Sequence, residues 1–267
     1  MSSSPQRRLH LNAFLMAIGH HEAAWRLPES DPNANLDIKH YISLAQTAER
    51  GKFDSVFLAD SPVLFSNPER RPSGKLEPTI ILTAISAATE KIGLIATAST
   101  SYNEPYNLAR RFASLDFVSG GRAGWNIVTT AGADAAQNFG LDDTPAHRSR
   151  YERAAEFVEV STKLWDSWED DAIVADKEVA IHADSAKVHV IEHEAGSSRC
   201  GDHSTCRGRR RDTRCSCRRG RPRTERISPP GIRRPSSPPS PPWTRGRRST
   251  RTSRTVSRKW AGTRRRC

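Results

Sequence analysis

Cysteine is missing from the first 194 residues; all five, Cys200, Cys206, Cys215, Cys217 and Cys267, fall in the C-terminal stretch. A body without cysteine needs no disulfides, which fits a cytosolic enzyme and makes cytoplasm the expected compartment. No apolar run approaches the roughly 20 residues of a membrane-spanning helix, so no membrane partner is expected. The opening MSSSPQRRLHLNAFL has an arginine pair, but its apolar run is too short and mixed for a signal peptide. No G-x-G-x-x-G follows any strand-like run, which argues against a dinucleotide-binding Rossmann fold. His20 and His21 are adjacent, yet nothing nearby completes a metal-ligand spacing, and no metal is expected.

Charge divides the chain in two. The net +12 is unevenly spread: from Ala195 onward 23 Lys and Arg face 3 Asp and Glu, whereas the first 194 residues carry 19 against 27. The sequence therefore reads as a mildly acidic globular domain over 1–194 and a basic Arg/Pro/Ser-rich tail over 195–267.

Within the body, periodicity alternates between strand and helix. Leu9–Ile18 reads as a first strand, followed by a loop holding His20, His21 and Trp25, which Pro28 and Pro32 keep from being helical. Ile38–Arg50 has helical apolar spacing and stops at Gly51. Ser55–Ala59 is a short apolar strand ending in Asp60, and a polar loop follows over Ser61–Glu77. Pro78 opens a helix, Ile92–Ala98 is the next strand running into Ser99, Thr100 and Ser101, and Pro105–Val118 is helical with Arg110 and Arg111 on it. A Gly120–Gly121 turn feeds the strand Ala123–Val128, after which a Gly/Ala/Asp/Asn loop leads to an amphipathic helix over His147–Trp168. Four strand–helix alternations predict a parallel sheet with right-handed crossovers, and a TIM-type (β/α) barrel is favoured, of which the N-terminal half is legible. In such a barrel ligands bind at the strands' C-terminal ends. There Asp60 is either a loop cap or a site residue, and His147 and Tyr151, four apart, share a helical face.

Several stretches resemble a known family. GGRAGWNIVT (Gly120 to Thr129), the following NFG, H-x-x-x-Y (His147, Tyr151), FLADS (Phe57 to Ser61) and NEPYNLARRFASLD (Asn103 to Asp116) are similar to the FMN-dependent monooxygenases of the bacterial-luciferase-like group. The branch that oxidises nitrilotriacetate and dibenzothiophene sulfone is the one they most resemble. The resemblance covers roughly Leu9 to His193. It implies a luciferase-like barrel and a monooxygenase that uses reduced FMN and O2 on a small organic substrate. It also implies a separate flavin reductase as partner and FMN-site residues at Asp60, Thr97, His147 and Tyr151; no catalytic residue is singled out. Substrate identity and whether the chain forms a homo-oligomer are open at this level.

The tail has no hydrophobic periodicity and holds 22 Arg but one Lys. A disordered basic arm is one reading, and an arm for nucleic acid or an acidic partner is another. Only Trp243 and Trp260 supply aromatic surface, which speaks against base stacking and makes nucleic acid a weaker expectation. Arg, Pro and Gly also dominate when GC-rich DNA is read out of frame. Reading each tail codon one base late lets Cys200–Gly208 spell VRGPLNVPR and Arg209–Gly220 spell SPQGHPVLVQAG, which resemble the family's own continuation. A frame slip between about His193 and Cys200 is therefore expected, leaving a truncated, impaired copy. The string AGSS (Ala195 to Ser198) reads as accidental, with neither a strand before it nor a helix after it.

Overall fold

The computed structural model describes residues 9–64, 67–195 and 198–201. The tail readings, from Asp202 to Cys267, lie outside the described residues. Four parallel strands, β1 (Asn12–Phe14), β2 (Ser55–Leu58), β3 (Gly93–Ser99) and β4 (Ala123–Val128), pair in the order β1-β2-β3-β4. Between and after them run α1 (Ile38–Arg50), α2 (Pro78–Ala87), α3 (Pro105–Ser119), the short α4 (Ala133–Gln137) and α5 (His147–Trp165). Sequential strand order, with α1 packed on α2, α2 on α3 and α3 on α5, puts one helical layer on one side of the sheet. A doubly wound sheet would reverse its order and carry helices on both sides. This is the arc of a TIM-type barrel.

Local chemistry sets the element ends. The Asp37 carboxylate accepts from Lys39 N at 2.8 Å and caps α1, while Glu77 accepts from Ile80 N at 3.0 Å ahead of Pro78, the first residue of α2. At the end of α3, Gly120 adopts φ 75°, and Gly121 N–H closes onto Asp116 O at 2.8 Å, so the chain turns straight into β4.

Strand alternation separates the two faces of the sheet. Val56, Leu58, Leu94, Ala96 and Ala98 point to the helices and are buried against Leu82, Ile85, Leu108 and Phe112. Trp125 joins them, with ring centroids 5.5 Å from Phe112 and 5.7 Å from Phe157. The opposite, concave face carries Phe14, Phe57, Ile95, Thr97 and Asn126, in the register Phe14↔Phe57↔Ile95 and Thr97↔Asn126. Gly124 lies beside Ile95 on that face, where an added Cβ would meet Ile95 Cγ1 at 3.1 Å.

Three sequence expectations need correction. The first strand is Asn12–Phe14, far shorter than Leu9–Ile18, because its register with β2 runs only from Asn12↔Ser55 to Phe14↔Phe57, with flanking backbone bonds at Leu11 and Leu15. The Gly/Ala loop after β4 contains α4, and beyond α5 two antiparallel hairpins appear, β5 (Ile173–Asp176) with β6 (Ile181–Ala183) and β7 (His193–Ala195) with β8 (Ser198–Cys200). AGSS therefore does have a strand before it: Ala195 ends β7 and Ser198 begins β8. Cys200 packs against the cluster of Ala109, Val160 and Leu164.

Candidate functional site

Charge at the two ends of the sheet serves two different purposes. At the N-terminal ends of β3 and β4, the Arg122 guanidinium donates to Ile92 O (2.9 Å), Ser86 O (2.9 Å), Thr89 O (3.0 Å), Thr89 Oγ1 (3.0 Å) and Ser119 O (2.6 Å). Glu49 Oε1 accepts from Glu90 N, Lys91 N and Ile92 N at 3.0, 2.6 and 3.0 Å. Burial pushes the Glu49 carboxyl up, but the three backbone donors and nearby Arg122 outweigh it and hold it below the usual carboxylate range. Every donor of this network is spent on backbone and side chains of the same domain, so the arginine of GGRAGW is a structural clamp.

The C-terminal ends are different. Beyond β2 and β1, the chain walls a cavity of about 510 Å³, with Leu15–Ile18 on one side and Leu58–Leu64 on the other. That size suits a small organic molecule. Asp60 stands in its wall and pairs with Lys75, Nζ to Oδ1 3.0 Å, both side chains about one-third exposed (28% and 33%). Trp25 also lines the cavity, and its indole N–H donates to Arg70 O at 2.8 Å. Periodicity could not flag Lys75: it sits in an irregular loop, and its partner is fifteen residues earlier.

Thr97 is buried on the concave face, where Asn126 Nδ2 donates to its Oγ1 at 2.9 Å. At the end of β3, Ser99 Oγ accepts from Ser101 N at 3.1 Å and Asn103 Nδ2 donates to Ser99 O at 2.8 Å. Arg153 of α5 reaches this turn, donating to Thr100 O and Asn103 O at 3.1 Å each. Ser101 Oγ and the Tyr102 hydroxyl lie buried in it with no hydrogen-bond partner among the described residues.

The His147 and Tyr151 rings lie side by side at the exposed start of α5, centroids 4.5 Å apart and planes tilted 33°. The helix has no side-chain cap and no acidic residue in its first turn. Arg150 donates through Nη1 to Pro145 O, while its buried Nε has no partner among the described residues. The NFG segment bridges neighbouring loops: Asn138 Nδ2 donates to Pro62 O at 2.8 Å, and the Phe139 ring stacks on Tyr102 at 4.6 Å and 2°. Of the four residues singled out from the sequence, Asp60 lines the cavity; Thr97, His147 and Tyr151 lie outside its wall. Among the described residues no group of three or more His, Cys, Asp or Glu is placed to hold a metal, and no helix is long and apolar enough to cross a membrane.

Comparison with known proteins agrees with this architecture. The chain is 43% identical over 206 residues to N-acetyl-S-(2-succino)cysteine monooxygenase of Bacillus subtilis, covering 77% of this chain and 45% of that protein. It is 42% identical over 214 residues to nitrilotriacetate monooxygenase component A of Aminobacter aminovorans, covering 76% and 46%. Among solved structures, long-chain alkane monooxygenase superposes with a TM-score of 0.71 at 34% identity (76% of this chain, 50% of that one). A riboflavin lyase solved with modified FMN and riboflavin gives 0.70 at 35% (76% and 48%). The chain thus spans about half the length of the relatives it matches. Residues 14–191 match the luciferase-like monooxygenases as a group. That stretch holds β2 to β4, the Asp60 cavity and the start of α5 alike, and the chain belongs to the luciferase-like monooxygenase family.

Proposed function

We propose that the chain derives from an FMN-dependent monooxygenase that takes reduced FMN from a separate flavin reductase and uses O2 to oxidise a small organic substrate. The observation that carries the reading is Asp60, at the end of β2 in the wall of a 510 Å³ cavity, in a chain of this family. The donor set suits FMN. Three buried polar atoms, Ser101 Oγ, Tyr102 OH and Arg150 Nε, find no partner among the described residues at the strand-end loops and the α5 start, as groups awaiting a polar ligand would. The uncapped first turn of α5 leaves N–H groups and a positive dipole end beside His147 and Tyr151, which favours a phosphate there. When bound, reduced flavin supplies the electrons that activate oxygen. The chain's own residues then hold the flavin through Asp60, Thr97, His147 and Tyr151, and apolar walls such as Leu15 and Leu58 exclude water from the reacting atoms. The relative named component A, and the lyase solved with modified FMN, support the reductase partner and the cofactor.

The test is FMN titration of the chain followed by flavin fluorescence. Saturable quenching that Asp60→Ala weakens about tenfold supports the reading. Absence of quenching in both the chain and its frame-restored form overturns it.

The same proposal includes the frame slip between about His193 and Cys200, with domains at 1–194 and 195–267 and low activity in the copy as it stands. The composition of the tail and the family-like strings in the neighbouring frame support it. Sequencing the codons from His193 to Gly208 decides the point, since codons that forbid VRGPLNVPR make the basic arm genuine. Strong FMN-dependent turnover by the purified chain contradicts impairment.

A further inference from the structure

The NFG segment has no role in the flavin reading, yet it is where three strand-end loops meet. Ala135 and Ala136 of α4 are buried (2% and 0% exposed), and Gly132 N–H donates to Thr144 Oγ1 at 2.9 Å, closing the base of the loop after β4. On this anchored turn two consecutive side chains reach separate loops. Asn138 holds Pro62, a residue of the cavity wall two positions from Asp60. Phe139, though 47% exposed, lies flat on Tyr102, whose buried hydroxyl has no partner among the described residues. Gly140 at φ 76° then turns the chain away, a conformation that keeps both side chains directed at their partners.

We propose that Asn138 and Phe139 are positioning residues that latch the loops after β2 and β3 to the loop after β4. One rigid turn thereby sets the order of the cavity wall at Pro62 and of the Ser101–Tyr102 turn together. Neither contact is strong alone: a single amide–carbonyl bond and one aromatic stack each contribute modestly. Because both spring from one turn, losing either one loosens that turn and both loops respond.

The latch itself stands on geometry; only its effect on cofactor binding rests on the flavin reading. Hydrogen exchange on the full 267-residue chain tests it. In Asn138→Asp, which keeps the size and loses the donor, and in Phe139→Leu, amides of both loops, Ser61, Val63 and Leu64 in one and 101–104 in the other, should exchange about five- to thirtyfold faster, with β2 and β3 unchanged. Phe139→Tyr, which keeps the ring, should restore wild-type exchange. Rates unchanged in the two loops, a rise confined to the contacted loop, or a rise spread equally over β2 and β3 overturns the latch. FMN titration of the same variants should show affinity falling about fivefold or more. If the wild-type chain binds no FMN, the flavin reading fails while the exchange result still decides the latch.

Discussion

At the scale of single residues, Arg122 and Glu49 show how a side chain can be spent entirely on the scaffold. Burial lowers the Arg122 guanidinium and Glu49 partly restores it, and between them they tie the end of α2, the end of α3 and the starts of β3 and β4. Since the folded-state value of Glu49 is depressed, its contribution is present above its ordinary value near 4.5 and is lost as pH falls through the lower folded value. Glu49→Gln should therefore lower stability by about 1 kcal/mol at neutral pH. The difference from wild type should shrink below pH 4.5, which urea unfolding across pH would check. An equal difference at all pH values would show that the charge is not the cause. In the sequence Asp60 is legible as the residue that ends an apolar strand, while Thr97 is singled out by the family resemblance. Lys75 and the Asn138–Pro62 bond are not legible there, because partners 15 or 76 residues apart leave no periodic trace.

At the scale of elements, legibility tracked how much each segment decides for itself. α1 and β4 have the bounds expected from apolar spacing, Gly51 and the Gly120–Gly121 turn. β1 does not, since a strand's length is set by its neighbour. α4 is five residues of Ala, Asp and Gln without a clear apolar face, and it is helical because Ala135 and Ala136 bury against the rest of the fold. The turn after α3 is the element boundary most dependent on one residue. Gly120→Ala forces a side chain into φ 75° and should cost about 1 kcal/mol. A fall in urea midpoint with unchanged slope would confirm this, whereas an unchanged midpoint would mean that the turn relaxes without strain.

At the scale of the whole molecule, strand–helix alternation predicts a parallel sheet, and the structure adds its sequential order and single helical layer. Among the described residues β1 and β4 each have one neighbour and β2 and β3 have two. Amides of β2 and β3 should accordingly exchange about tenfold or more slowly than those of β1, and uniform exchange across the sheet would contradict the arc. The sequential order also fixes the order in which the sheet can be made. Asn12 pairs with Ser55, Ser55 with Gly93, and Leu94 with Ala123, so every strand docks on one synthesised just before it. A ribosome can hand over β1 to β4 as a growing arc, each helix closing behind its strand, before any residue beyond 201 has been translated. A change of reading frame downstream then rewrites only the later chain and leaves the arc's own pairings as they were.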